Sequence, residues 1–219
     1  MAQPRNPGEG TAQHGMQPPA MSRLQQRRQQ AQKDLPNGAV TRAYKANREE
    51  VIDLLNRALA SEWSAFLQYE HHYVMASDIH SAEIRDMWKE HADQELSHAH
   101  KFNERINQLG GVPANAPQQI AQLTPTSFEA GTDLRSMLEI DLIYERETIE
   151  FYNEIVRTCG FDDNETRTIV ETILLDENEH ANDLSNLLFQ YDASTGKPIM
   201  TLHEEALQQG GQQARAAGR

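Results

Sequence analysis

One cysteine, Cys159, in 219 residues excludes an intrachain disulfide framework, a four-thiolate zinc site and an iron–sulfur cluster held by a single chain. Metal chemistry in this chain must therefore rest on carboxylates and imidazoles. No run approaches the roughly eighteen consecutive apolar residues of a membrane span, and the N-terminus lacks the apolar stretch of a secretory signal. A soluble, cytoplasmic protein with no membrane partner is expected. No stretch alternates as a strand, and the length suits one domain with a sizeable core rather than two.

Charge is divided unevenly. Residues 1–48 hold eight Lys/Arg against two Asp/Glu, whereas the remainder holds twelve against thirty-one, within a net charge of −13. A basic tail on an acidic body suggests an anionic partner for the tail and cations for the body. Residues 1–46 are rich in Gln, Pro, Gly and Arg with few large apolar side chains, so a flexible tail is expected, with a transient helix over Met21 to Lys33.

From Arg48 the apolar residues recur at three- and four-residue steps, which predicts amphipathic helices over about Arg48–Ser77, Ser81–Leu109, Asp133–Cys159 and Asn164–Tyr191. Gly110-Gly111 and Gly160 stop the second and third. The first two and the last two are joined by short connections. More than twenty residues, with Pro113, Pro117 and Pro125, separate the pairs. The expected fold is an all-α four-helix bundle over residues 47–192, made of two hairpins and one long crossover. Residues 193–219 form a C-terminal extension in which Thr201-x-x-Glu204 reads as a capping box opening a short helix.

Each predicted apolar stripe carries a carboxylate near its middle: Glu62, Glu95, Glu145 and Glu177. Four carboxylates at the centre of a bundle cost several kcal/mol each unless cations neutralise them or they stay protonated. Glu95 and His98, like Glu177 and His180, stand three apart and project from one helical face. With 21 Glu and 9 His, about one Glu-x-x-His arises by chance, so the phasing carries the weight. Glu62 precedes Glu95 by 33 residues, Glu145 precedes Glu177 by 32, and each upstream Glu is followed seven residues later by a tyrosine, Tyr69 or Tyr152. One Glu from each of two helices and a Glu-x-x-His from each of the other two is the di-iron and di-manganese bundle pattern.

The segments LNRALASEWSAFLQY, HADQELSHAHKFNERINQLGG, MLEIDLIYE and ILLDENEH resemble the bacterioferritin branch of the ferritin-like superfamily, over about Val51 to Tyr191. The resemblance implies a ferroxidase with two iron ions per subunit. Glu62 and His98 would bind one, Glu145 and His180 the other, and Glu95 and Glu177 would bridge them. Four carboxylates balance two Fe2+; manganese is an alternative, and zinc is expected to inhibit. Fe2+ would be oxidised by O2 or H2O2 and stored as ferric iron in a homo-oligomeric cage.

Tyr69, Tyr152 and His91 are candidates to support the ligands from behind, with a redox role for the tyrosines as one option. His71, His72, His80 and His100 are expected at the surface, and Cys159 as a small buried hydrophobe. Leu96 stands where the family's haem-binding Met directly follows the second-helix bridging Glu, so haem is not expected. Glu90 and Gln94 replace the His and Asp of an inner-surface iron site found in some members, and Thr148 stands where rubrerythrins carry an extra Glu. Two other functions fit the same residues: peroxide disproportionation at a di-manganese centre, and DNA protection by a miniferritin-like protein that binds DNA through its basic tail. A helix near Leu202 would suit a 24-subunit cage, and a crossover helix at Gln118 to Leu123 a 12-subunit one.

Overall fold

A computed structural model describes residues 22–76, 81–125 and 127–190. Every regular element among them is helical: α1 (Arg23–Lys33), a 3-10 turn (Leu35–Asn37), α2 (Arg48–Met75), α3 (Ser81–Gln108), α4 (Pro117–Leu123), α5 (Leu134–Cys159) and α6 (Asn164–Gln190). The four long helices end within two residues of the positions that periodicity predicts. The expected helix near Leu202, together with His14, His80 and His203, lies outside the described residues.

The chain divides into two compact units, one ending at Gly38 and the other beginning at Ala39. In the first, Ser22 caps α1 by accepting from Gln25 N, while the Gln25 side chain accepts from Ser22 N. No residue of α1 is buried. A helix polar all round draws on propensity, capping and i,i+4 pairs, here Gln30 Nε2 donating to Asp34 at 3.1 Å. Residues 39–46, included in the expected tail, belong to the second unit. Val40, Tyr44 and Ala46 pack against the core, and Lys45 N donates to Asp162 O at 3.1 Å.

In the second unit α2 packs on α3 and α5 on α6, with α2 also against α5 and α3 against α6. Gln68 meets Asp141 and Glu62 meets Tyr152, the order expected of antiparallel neighbours. The apolar core is split in two. Leu55, Leu59, Phe102, Ile106, Ile155 and Ile173 belong to one cluster, and Ile84, Trp88, Leu138 and Leu184 to the other. Each fully buried Leu or Ile contributes about 1.5–3 kcal/mol relative to exposure. The layer between the clusters, at the level of Glu62, Glu95, Glu145 and Glu177, is charged.

The helix ends are fixed by local chemistry. Asp133 caps α5 through Ser136 N at 2.9 Å, and Asp163 caps α6 through Thr166 N at 2.9 Å. Buried Arg105 near the end of α3 donates to Asp163 and to Thr166 Oγ1, each at 2.8 Å, and so ties two helix ends together. Gly110 and Gly160 close α3 and α5 with φ of +79° and +49°, in the left-handed region that disfavours a side chain. The crossover, including α4, is pinned along α2: Asn56 accepts from Ala114 N, Trp63 donates to Asn115, and Gln68 accepts from Glu129 N. No helix among the described residues is long and apolar enough to cross a membrane.

Candidate metal centre

The charged layer brings together all six residues that the sequence singles out as ligands. Glu62 (α2), Glu95 and His98 (α3), Glu145 (α5), Glu177 and His180 (α6) are each 1% exposed. They form two groups, Glu62–Glu95–His98–Glu177 and Glu95–Glu145–Glu177–His180, and within each group one donor atom per residue lies within 4.8 Å of the others. Glu95 and Glu177 belong to both. His98 Nδ1 is 3.5 Å from Glu62, 3.5 Å from Glu95 and 3.2 Å from Glu177. His180 Nδ1 is 3.1 Å from Glu95, 3.7 Å from Glu145 and 3.4 Å from Glu177.

Six atoms of this cluster are buried without a hydrogen-bond partner: Glu62 Oε2, Glu95 Oε1, both carboxylate oxygens of Glu177, and Nδ1 of both histidines. Buried polar atoms are seldom left unsatisfied, because each unmet group costs about 1–3 kcal/mol. Here the unmet atoms converge from three helices, α2, α3 and α6, on a common centre that Glu145 of α5 also lines. That donor set, four carboxylates and two imidazoles, fits two divalent cations in charge and in ligand type.

Titration behaviour reflects the crowding. Burial, followed by the charges of Glu95 and Glu177, pushes the Glu62 carboxyl well above the usual range. Burial, followed by the charge of Glu177, does the same to Glu145. Burial also opposes ionisation of Glu95, but the nearness of Glu62, His180 and His98 outweighs it and holds Glu95 well below the usual range. Both histidines are pulled upward: burial disfavours their cations, and the carboxylates around them prevail.

Residues outside the six orient them. Tyr69, on α2, donates its hydroxyl to Glu145 on α5, and Tyr152, on α5, donates to Glu62 on α2. His98 Nε2 is 2.9 Å from Asp176 Oδ2, and His180 Nε2 is 2.7 Å from Gln94 Oε1. Each imidazole is thus held at its outer nitrogen by the residue that precedes the shared Glu of the opposite helix. His91 stacks on His180 with centroids 4.0 Å apart, and its Nδ1 is buried without a partner. Burial, then the charge of His180, lowers His91 to about 3. Thr148 is buried with an unpartnered hydroxyl.

Asp176 and the Asp141 cluster are absent from the sequence reading. Asp141 is buried and accepts from Gln68 Nε2 at 2.9 Å and Trp88 Nε1 at 2.8 Å, with His72 Nδ1 at 2.9 Å. His72, expected at the surface, is fully buried, because its ring lies between Asp141 and the Glu129 carbonyl of the crossover, 3.2 Å from Nε2. Of its expected companions, His71 is half-buried and His100 exposed. Cys159 is buried and free.

Residues 52–193 match the pattern of the ferritin-like domain. The chain belongs to the ferritin-like family. Among its relatives, a nutrient stress-induced DNA-binding protein of Synechococcus is 31% identical over 144 residues, covering 64% of this chain and 81% of that protein. The bacterioferritin-related protein of Bacteroides fragilis, a dodecameric thioferritin, superposes with a TM-score of 0.65 at 31% identity, covering 74% of this ferritin-like chain and 92% of its own. The bacterioferritin of Desulfovibrio desulfuricans, whose diiron site has been described in different catalytic states, superposes with a TM-score of 0.57 at 29% identity. That match covers 64% of this chain and 78% of the other.

Proposed function

We propose that this ferritin-like protein is a ferroxidase that oxidises Fe2+ within its helical bundle and stores the ferric product in a cytoplasmic homo-oligomeric cage. The convergence of six unpartnered donor atoms on one buried centre supports this reading most directly. Fe2+ is the substrate. Glu62 and His98 hold one ion, Glu145 and His180 the second, and Glu95 and Glu177 reach both. Four carboxylates neutralise two divalent ions, so loading offsets both the burial and the carboxylate repulsion that raise Glu62 and Glu145.

The electrons come from the iron, one from each ion. Hydrogen peroxide accepts both and leaves, with two protons, as two waters; O2 is the alternative acceptor. The protein's part is to fix the ion pair and exclude bulk water. Tyr69 and Tyr152 hold Glu145 and Glu62 in place, while Asp176 and Gln94 turn Nδ1 of each histidine inward. The side chain of Leu96 offers no donor atom to a haem iron.

The test adds Fe2+ to metal-free protein with and without air and with and without H2O2, following ferric absorbance and iron content across a sizing column. Rapid Fe3+ formation eluting with an assembly of about twelve or twenty-four chains is expected. A stable monomer or dimer removes the storage role. Mn2+ loading followed by a peroxide-loss assay separates the di-manganese alternative, and Zn2+ should slow iron oxidation.

DNA binding is a second reading, favoured by α1. Arg23, Arg27, Arg28 and Lys33 lie on this helix without a single acidic residue, ahead of an acidic bundle. Such a segment would hold phosphates without sequence preference and in a salt-sensitive way. A gel shift at low salt that disappears on removal of residues 1–38 supports it; no shift with the full chain rejects it.

A further inference from the structure

The centre has an internal two-fold relation: Glu62 corresponds to Glu145, Glu95 to Glu177, His98 to His180 and Tyr69 to Tyr152. Members of each pair are identical in kind. Two correspondences are broken: His91, four residues before Glu95, stacks on His180 where Ile173 stands four before Glu177, and the residue that holds the outer nitrogen of His98 is Asp176, whereas the residue that holds His180 is Gln94.

The difference has a defined chemical effect. A carboxylate has no N–H to present, so Asp176, with Oδ2 2.9 Å from His98 Nε2, takes the outer nitrogen as a donor and directs Nδ1 to the metal position. Gln94 accepts from His180 Nε2 with a neutral oxygen. Its amide can equally present its NH2 group, which would favour the tautomer protonated at Nδ1 and close that nitrogen to a metal. Asp176 is 35% exposed at its side chain, so solvent moderates its charge without removing its acceptor role.

We infer that the two metal positions are inequivalent, with Asp176 and Gln94 as the positioning residues that set the order of filling: the position at His98 fills first and the position at His180 second. This rests on the dimetal reading above. Outer partners of this kind alter metal affinity by about 10- to 100-fold.

Co2+ titrated into the metal-free full-length assembly tests this without turnover. Because a first ion weakens a second by charge alone, the location of the first ion is decisive. Crystals of protein loaded with one Co2+ per chain should show anomalous scattering concentrated beside His98. Asp176→Asn and Gln94→Glu are isosteric with the residues they replace. The first should weaken the tight step by about 10- to 100-fold, the second should strengthen the weak step, and together they should move the first ion to His180. Equal occupancy in wild type, with affinities that neither variant changes, overturns the inequivalence and leaves the dimetal reading standing. No Co2+ bound at all overturns both.

Discussion

Tyr152 donates its hydroxyl to Glu62, 90 residues earlier, and Tyr69 reciprocates by donating to Glu145. Each of the paired helices α2 and α5 therefore carries one candidate ligand and the tyrosine that steadies the other helix's ligand. Tyr152→Phe leaves a buried carboxyl without its donor and should destabilise the metal-free protein by about 1–3 kcal/mol. Denaturant unfolding of the metal-free assembly measures this. Tyr69→Phe should behave alike, and equal stability of both variants with wild type would contradict the structural role.

The shared carboxylates make a sharper comparison. Glu95→Ala or Glu177→Ala should impair both metal positions, whereas His98→Ala or His180→Ala removes a neutral donor from one. Metals bound per chain and the initial rate of Fe3+ formation are compared with exposed Glu104→Ala, which should match wild type. Metal-free Glu177→Ala should be at least as stable as wild type, since it removes charge that raises Glu62 and Glu145. If Glu95→Ala and Glu177→Ala oxidise Fe2+ at the wild-type rate, the ferroxidase reading fails.

Two truncations should separate tail from bundle. Removal of residues 1–38 should leave the unfolding midpoint unchanged, because no residue of α1 is buried. Removal of residues 1–46 also takes away Val40, Tyr44 and the Lys45–Asp162 bond, and should lower stability. Matching unfolding curves for the two truncations would show that residues 39–46 add nothing.

Cys159 should be unreactive in the native protein. Burial, then the charge of Asp163, pushes its thiol from 9.0 up to about 12. Between those values the unfolded chain has lost a proton that the folded chain retains. The thiol's contribution to stability is therefore complete below about pH 9 and is lost as pH rises toward 12. Iodoacetamide at pH 9 should label one thiol per chain only after denaturation, and Cys159→Ala should flatten the alkaline fall in stability. Rapid native labelling would refute the buried, neutral thiol.

The bundle was legible in the sequence because its helices keep strict apolar periodicity and its four core carboxylates interrupt that periodicity at matching depths. The six candidate ligands lie in those stripes. Their supports were harder to read. Asp176 and Gln94 sit at the edge of the stripe, one residue before Glu177 and Glu95, where a polar side chain ordinarily signifies a solvated face. Asp141 is three residues beyond Leu138, and only the tertiary meeting of Gln68, His72 and Trp88 around it shows why a charge is tolerated there. His72, next to half-buried His71, carries no local sign of its burial, since its cover comes from Glu129 on the crossover.

Neither hairpin alone contains a complete donor group. The first needs Glu177 from α6 in addition to Glu62, Glu95 and His98, and the second needs Glu95 from α3 in addition to Glu145, Glu177 and His180. Metal capture thus follows the docking of the two hairpins and cannot serve as the folding nucleus. The chain must close its crossover loop without help from metal, on apolar contacts and on hydrogen bonds such as Gln68–Asp141 and Arg105–Asp163, while like charges gather at the centre of the forming bundle. Chelators present during refolding should accordingly leave the rate of bundle formation unchanged, and iron should act afterwards, slowing the unfolding of a structure already complete.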